Sequence, residues 1–537
     1  MGKLAVRLIA STLAVVGVAH VAAATGRSSA AWVVSVVDDG RPGRLQSLIF
    51  GLTLLVLAHG LAGGRRLARH VMLGALLIAC VVISLASDLP VHVRLPRVAV
   101  LGAVALLLVT LRAYFPAAAD PRRLRLAGQV SLGLLALVAV GSGWGFVSYH
   151  EKPRQIGAAL LANFAPARPA PIGHDNVLAL VVGVGGLALL ALMFAPGPAP
   201  EPGTAAQRHL VAQLADAPDA DSLAPFATRR DKSYVFSPDG RAAIGYRVFF
   251  GTALAGGDPV GDPAAAGAAV AEFLRKCERE GWRPGVLGAS GPAWAEQRLP
   301  GLTFGDEAVL DVAAFSLGSR RMRNVRQAVQ RTHNAGVKVT IGPLTNELAG
   351  ELHPVLAAWL GGNIERGFAM NLDTLLLPRP DCVVAVARDG RGEAVAFARF
   401  AVCAGGRILT LDVAPRRRDA PNGVVERLVV EVVEHGRATG VAEVSLNFAG
   451  LRRVFESPSP FARIATVAVR LFDPWIELWP LYRFCAKFRP TWRPRMLLAG
   501  SWPALAPVAV AALAAEFGRR TAEPPELPDA QVCGGVS

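Results

Sequence analysis

The stretch 304–341 concentrates residues suited to holding an anion. From Met322 the apolar side chains Met322, Val325 and Val329 fall on one face of a helix. Arg320, Arg323, Arg326 or Gln327, and Arg331 fall on another at steps of three and four, with Arg321 beside them. A guanidinium is a planar fork of donors that matches phosphate or carboxylate, so fixed arginines beside a buried face suit an anionic partner. A second basic cluster, Lys487, Arg489, Arg493 and Arg495, is interleaved with Phe488 and Trp492. Cations there would grip phosphate, while the rings stack on bases or sit at a membrane interface. The elements needed to position the first cluster are an acidic strand, a turn, the basic helix and a second strand. Glu307 and Asp311 on the acidic strand are expected within reach of the stripe.

The chain has 537 residues, 52% of them hydrophobic, and a net charge of +15. Residues 1–200 hold 17 Lys and Arg against 6 Asp and Glu, and the remainder 39 against 35. The excess therefore belongs to loops between apolar runs, and net charge alone does not argue for nucleic acid. Those runs approach the ~20 residues that cross a bilayer. Six spans are expected near 5–24, 45–61, 71–87, 98–115, 126–147 and 177–194. Lys3 and Arg7, then Arg65, Arg66 and Arg69, then Arg122, Arg123 and Arg125 fall on one side. That places the N-terminus and everything after the sixth span in the cytoplasm. No small-residue cleavage site follows the first run, so it is read as a span and not as a removed signal. No span carries a central Asp, Glu, Lys or Arg, which argues against ion-driven transport. The six cysteines, at 80, 277, 382, 403, 485 and 533, have no metal-ligand spacing and are expected as reduced thiols.

A Pro- and Ala-rich exit linker with a short helix at 205–215 precedes a change of pattern at Asp231. Strands at 233–236 and 242–249 flank a Pro-Asp-Gly turn, and a third strand ends at Gly257-Asp258-Pro259. A helix at 264–280 and a strand at 285–289 follow. The order then recurs: a helix at 345–360, a meander at 382–388, 394–402 and 407–413, a helix at 423–439 and a strand at 444–448. Two sheet-plus-helix units in the same order suggest a duplicated domain. The apolar run 496–515 contains Pro503 and Pro507 and is expected to dock or lie at an interface, not to span.

From Asp231 to Phe517 the chain resembles the C-terminal catalytic domain of phosphatidylglycerol lysyltransferases, the multiple peptide resistance factor family. The landmarks are DKSYVFSPDGRAAIGYRV, GGDPVGD, FLRKCEREGW, GDEAVLDVAAFSLGSRRMRNVRQAV, Trp359 with ERGFAM at 365–370, APNGVVERLV, SLNFAGL and YRFCAKFRPTWRPR. The resemblance implies two tandem acetyltransferase-like (GNAT-like) α/β folds behind an all-α membrane domain. The divisions expected are 1–196 transmembrane, 197–224 linker, 225–343 first GNAT-like domain, 344–518 second and catalytic domain, and 519–537 disordered tail. It further implies transfer of an aminoacyl group from aminoacyl-tRNA to the headgroup hydroxyl of phosphatidylglycerol at the cell membrane, with no cofactor and no metal. The activated ester supplies the driving force.

Such a transfer needs a proton acceptor, stabilisation of a tetrahedral oxyanion, and positioning of two anionic substrates. Asp412 ends a strand and Glu426 lies in the first turn of the next helix, so both are expected to face one cleft as the catalytic carboxylates. By resemblance Asp412 stands at the Asp of an Asp-Leu-Met-Arg segment, which here reads Asp412-Val413-Ala414-Pro415. Arg416, Arg417 or Arg418 is expected to replace the missing arginine. Glu365, Lys487, Arg493 and Arg495 are further substrate-binding candidates, and Arg320, Arg321, Arg323 and Arg326 are the tRNA candidates. Two other readings stand beside this one. An acyl-CoA transferase would need a Q/R-x-x-G-x-G/A pyrophosphate loop, which RRRDAPNGV at 416–424 lacks. A non-catalytic lipid-binding or lipid-moving module would dispense with both carboxylates.

Overall fold

A computed structural model describes residues 2–24, 44–85, 90–118, 120–149, 174–362, 367, 371–450 and 478–517. The expected site residue Glu365 and the expected tail lie outside them. The chain divides into two compact units, residues 1–198 with 277–282, and residues 199–276 with 283–537.

The first unit contains helices α1 (Gly2–Ala24), α2 (Arg44–Ala62), α3 (Arg66–Leu85), α4 (Val91–Thr110), α5 (Pro121–Tyr149) and α6 (His174–Met193). Val6 and Ala10, Leu57 and Leu61, and Ala68, Met72 and Leu76 share one apolar core. Helices α1 and α2 approach through glycine: a Cβ on Gly51 would lie 2.7 Å from the carbonyl oxygen of Gly17. Such small-residue contacts let helix backbones meet where water supplies no driving force. Among the described residues three helices, Gly2–Ala24, Arg66–Ser84 and Val91–Tyr114, are long and apolar enough to cross a membrane. Among the described residues the count of six is not reached on that measure: the apolar parts of α2 and α6 are shorter, and α5 is not among the three.

The second unit is built on one mixed sheet. Its strands are β1 (Ser233–Phe236), β2 (Ala242–Phe249), β3 (Thr252–Gly256), β4 (Val260–Gly261), β5 (Arg283–Ala289), β6 (Gly301–Asp311), β7 (Lys338–Gly342), β8 (Cys382–Arg388), β9 (Ala394–Cys403), β10 (Ile408–Val413), β11 (Glu443–Gly450) and β12 (Thr491–Ala499). Its helices are α7 (Ala205–Ala215), α8 (Pro263–Glu280), α9 (Arg323–Asn334), α10 (Asn346–Leu360), α11 (Val424–Thr439), α12 (Leu478–Ala486) and α13 (Leu505–Phe517). Local chemistry sets several ends. Thr204 and Gln207 form a capping box at α7, Thr345 caps α10, and left-handed Gly361 and Gly440 close α10 and α11.

The strand order β1-β2-β3-β5-β12-β6-β11-β10-β9-β8-β7, with β4 beside β2, reveals a duplication. In the first half β3 pairs parallel with β5 across helix α8, and in the second β10 pairs parallel with β11 across α11. The halves then exchange their final strands. Strand β6 follows β5 in the chain but pairs with β11, and β12 follows β11 but pairs with β5. The exchanged strands pair with each other at the centre. Strand β7 pairs with β8, so residues 338–342 join the second half by pairing although they precede the expected division at 343. The apolar run at 496–515 is part strand β12 and part helix α13, and the helix packs through Val508, Ala511, Ala512 and Ala515 on Leu254, Leu287 and Leu497.

A buried ion pair holds the exchange. Arg495 of β12 and Glu307 of β6 are 2% and 0% exposed. Arg495 Nε donates to Glu307 at 3.1 Å, and its Nη2 donates to Asp221 and to Ser222 Oγ, both at 2.9 Å. Ser445 Oγ of β11 donates to the same glutamate at 2.6 Å. All four central strands thus touch one network, since Arg495 also reaches the Gly288 carbonyl of β5. Removing one partner of such a pair strands the other charge and costs roughly 3–5 kcal/mol. Glu307→Ala should therefore lower the thermal midpoint of the detergent-solubilised chain by several degrees and Arg495→Met should do likewise; midpoints equal to the parent would remove this network from the account of the fold.

Candidate active site

Asp412 is the extra residue of a bulge in β10, where pairing with β9 slips between Leu411 and Val413. A bulge turns its side chain out of strict alternation. The carboxylate is fully buried and paired to the fully buried Arg399, with Nε to Oδ2 at 2.5 Å. Its other oxygen accepts the Leu372 N–H at 2.8 Å. Arg399 in turn donates to the carbonyls of Thr374 at 3.0 Å and Leu375 at 2.9 Å. Arg229 Nη1 donates to the Asn371 carbonyl at 2.7 Å, and Asn371 Nδ2 donates to the Asp412 carbonyl. The loop 371–375 is therefore clamped by charged groups from β9, β10 and the segment before β1. Burial raises the Asp412 carboxyl above its usual value, while Arg399 and the Leu372 N–H pull it down.

Glu426 has a different partner. Lys487 Nζ donates to its Oε1 at 2.7 Å, with the lysine half-exposed and the glutamate mostly covered. Neither carboxylate bonds to the other's partner, so the expected shared cleft is not closed by direct contact.

The cations before and within β12 pair with carboxylates of this chain: Lys487 and Arg493 stay partly exposed, whereas Arg495 is buried, which takes that residue out of the expected contact with anionic substrate. Arg493 forms a fork to Glu443 at 2.8 and 2.5 Å, and Arg495 is consumed by the buried pair with Glu307. Alternation along β12 explains why the sequence misleads. Arg493 and Arg495 are two apart and share a face, but β6 and β11 carry the carboxylates that meet them. Arg417 is likewise held by Asp419 and Glu393, while Arg416 and Arg418 are exposed.

The helical stripe behaves as its spacing predicts, with two changes. Met322, Val325 and Val329 share a core with Val424, Leu428 and Val432 of α11. Arg320, Arg321, Arg323 and Arg331 are exposed. Arg326 turns back, donating to the carbonyls of Leu317 and Ser319, and so latches the loop before the helix. Glu307 and Asp311 do not pair with the stripe: Glu307 is buried with Arg495, and Asp311 accepts the Ala313 and Ala314 N–H groups. Gly423, at φ 100°, starts α11 so close to α9 that a Cβ would lie 2.8 Å from Ala328. The loop before Gly423 is held to β9, where the Arg417 N–H donates to the Val395 carbonyl at 2.9 Å.

A buried polar cluster escaped the sequence reading. Arg229 donates to Asp231 at 3.0 and 2.9 Å, Arg247 donates to Asp231 at 2.9 Å, and the Arg230 N–H donates to Asp373 at 2.9 Å. Lys232, Asp373 and Glu516 are buried among them. Burial works to raise the Asp231 carboxyl, but the bond from Arg229 and the charges of Arg229 and Arg247 hold it below its usual range. Burial, reinforced by Arg229, brings Lys232 down to about 7. Asp231-Lys232 opens the DKSYVF segment, the one signal that pointed here. Between about pH 7 and the ordinary lysine value the unfolded chain holds a proton that the folded chain lacks, so stability rises with pH across that window. Lys232→Met should remove this rise, which is worth about 1.4 kcal/mol per unit of pKa difference. Thermal midpoints of parent and variant at pH 6.5 and 9.5 check this: parallel shifts of the two proteins would contradict it.

The family model described as phosphatidylglycerol lysyltransferase, C-terminal, matches residues 211–499. The chain is 35% identical over 453 residues to a lysylphosphatidylglycerol biosynthesis bifunctional protein LysX of Gordonia bronchialis, covering 78% of this chain and 40% of that one. It is 40% identical over 290 residues to the MprF-like domain protein Rv1619 of Mycobacterium tuberculosis, covering 51% and 60%. The chain thus spans from two fifths to three fifths of these relatives' length. Among solved structures it is similar to the C-terminal domain of a candidate lysylphosphatidylglycerol synthetase from Agrobacterium fabrum, at 25% identity and a TM-score of 0.50, covering 59% of this chain and 99% of that one. With the match to residues 211–499 extending over more than half of its length, the chain belongs to the phosphatidylglycerol lysyltransferase C-terminal family.

Proposed function

We propose that the chain transfers an aminoacyl group, lysyl or another cationic residue, from aminoacyl-tRNA to the headgroup hydroxyl of phosphatidylglycerol. Family membership supports the reaction class, and the names of its relatives, lysylphosphatidylglycerol biosynthesis proteins, support the lipid product. The observation that carries the tRNA side is the outward arginine surface. Arg320, Arg321, Arg323 and Arg331 on and before α9, and Arg416 and Arg418 on the loop meeting that helix at Gly423, are exposed. Phosphate contacts of this kind give affinity without sequence readout.

In the proposed reaction the headgroup hydroxyl attacks the ester carbonyl. A new ester C–O bond forms to glycerol as the C–O bond to the terminal ribose breaks, and the hydroxyl proton ends on the ribose oxygen. Glu426 is the proton acceptor we favour, because it is a mostly covered carboxylate with a half-exposed ammonium, Lys487, bonded to it. That lysine can return the proton or steady the oxyanion. Asp412 acts as a positioning residue through Arg399 and the 371–375 loop, since both of its oxygens are already engaged. Two added ammonium groups would turn an anionic headgroup cationic and weaken binding of cationic peptides. The N-terminal helices would hold the enzyme at the cell membrane in six passes, with the catalytic half in the cytoplasm.

Expression followed by lipid extraction and mass analysis should reveal phosphatidylglycerol enlarged by one aminoacyl residue. Its absence, with the chain inserted in the membrane, would overturn the proposal. Reversing Arg320, Arg321 and Arg323 together to Glu should weaken tRNA binding on the order of tenfold or more at moderate salt and flatten its salt dependence. Unchanged binding by the triple variant would make the stripe a solvated face.

A further inference from the structure

Four chain segments meet at one end of the first half of the sheet. Strand β3 begins beside the beginning of β5, with Thr252 opposite Arg283. Strand β12 ends there, with Ala499 opposite Gly285, and β6 begins there, with Gly301 opposite Leu498. Backbone bonds tie the segments together: Gly500 N–H donates to the Pro284 carbonyl at 3.1 Å and Ala499 N–H to the Pro300 carbonyl at 2.9 Å. Arg283 Nη1 donates to the Phe250 carbonyl at 3.3 Å.

This end carries large apolar side chains turned to solvent. Phe250 is 74% exposed, Trp502 67% and Leu302 47%. Phe250 is held out by a left-handed turn at φ 49°. Helix α13 continues the surface, since its outer face bears Val510 and Leu513 while Val508, Ala511, Ala512 and Ala515 pack inward. The only charged residue of that helix, Glu516, is buried near its far end.

Charge is uneven between the two ends of these strands. Residues 249–252, 283–285, 298–302 and 499–507 contain no Asp or Glu, and their charged residues are Arg283 and Arg298. The opposite end carries Asp258 after β3 and Asp311 at the end of β6. Exposed Trp and Phe with flanking Arg283 and Arg298, and with carboxylates confined to Glu278 and Glu280 at the end of α8, match the interfacial zone of an anionic bilayer, where rings settle among headgroups and cations meet lipid phosphate. A water-facing surface would gain nothing from Phe250, Leu302 and Trp502 on one edge. The same chain carries three helices able to cross a bilayer, so a lipid surface is present at high local concentration.

We propose that the Phe250–Leu302–Trp502 edge, with the outer face of α13, inserts into the interfacial layer of an anionic lipid bilayer and is drawn there by Arg283 and Arg298. Insertion to about 5–10 Å would bury the rings and the first turns of the helix without spanning.

The test uses the full chain in nanodiscs of equal parts phosphatidylglycerol and phosphatidylcholine. A photoreactive benzoyl-phenylalanine replaces Phe250, Trp502 or, as control, Asp239 in the exposed turn at the opposite end of β2. Irradiation and mass analysis should give lipid adducts at 250 and 502 and none at 239. Yields should fall several-fold in pure phosphatidylcholine discs and in the Arg283→Glu, Arg298→Glu double variant. Adducts to protein instead of lipid at 250 and 502, equal lipid adducts at 239, or yields indifferent to lipid charge and to the double variant would each overturn the proposal. The readout needs no turnover, so it stands or falls separately from the acyl-transfer reaction.

Discussion

A carboxylate and a guanidinium buried together set the geometry of the second half. Asp412 and Arg399 both have side chains with no exposure, and moving either to the interior is unfavourable unless every donor and acceptor is used. They are used. Asp412 spends its second oxygen on Leu372, and Arg399 spends its remaining donors on the carbonyls of the 371–375 loop. That loop follows the segment at 365–370 that the family signature marks, and Arg229 reaches it from the other side. A group so fully committed orients others; it is poorly placed to accept a proton from a substrate. The pair makes the bulge in β10 necessary, because a regular strand would point residue 412 elsewhere.

The same logic operates at the centre of the sheet. Exchanging the last strand of each half makes the two halves one folding problem, and the exchange brings Glu307 and Arg495 together from strands far apart in the chain. Ser222, Asp221 and Ser445 complete the bonding. Charges that a single half could not bury are thus satisfied only when both halves are in place. This ties assembly of the tandem to the position of the loops around it.

Local order was readable from the sequence to a large degree. The Pro-Asp-Gly turn, the β1–β2 and β8–β9 hairpins and the short helix at 205–215 follow from turn chemistry, alternation and capping. The apolar face of α9 follows from its period. What could not be read was long-range pairing. Nothing in a run such as TWRPRMLLA states that it will lie between β5 and β6, so Arg493 and Arg495 looked like free cations when Glu443 and Glu307 await them. Lys232 was missed for a related reason: the charges that act on it, Arg229 and Asp231, Arg247, and Glu516, come from three separate segments. At Arg326 the helical position follows from the spacing, and only its reach back to Leu317 and Ser319 lies beyond it.

These features separate residues that hold the fold from those left to meet substrate. The outward arginines and the Glu426–Lys487 pair remain available after the buried pairs are accounted for. In the proposed reaction the acyl donor is an aminoacyl ester of tRNA and the acceptor a phosphatidylglycerol hydroxyl. The purified chain in phosphatidylglycerol nanodiscs, supplied with tRNA charged with radiolabelled lysine, tests it most directly. Labelled lipid should form, be abolished by ribonuclease pretreatment and be absent when free lysine and ATP replace the charged tRNA. Labelled lipid formed from free lysine and ATP, or charged tRNA left intact beside unlabelled lipid, would contradict it.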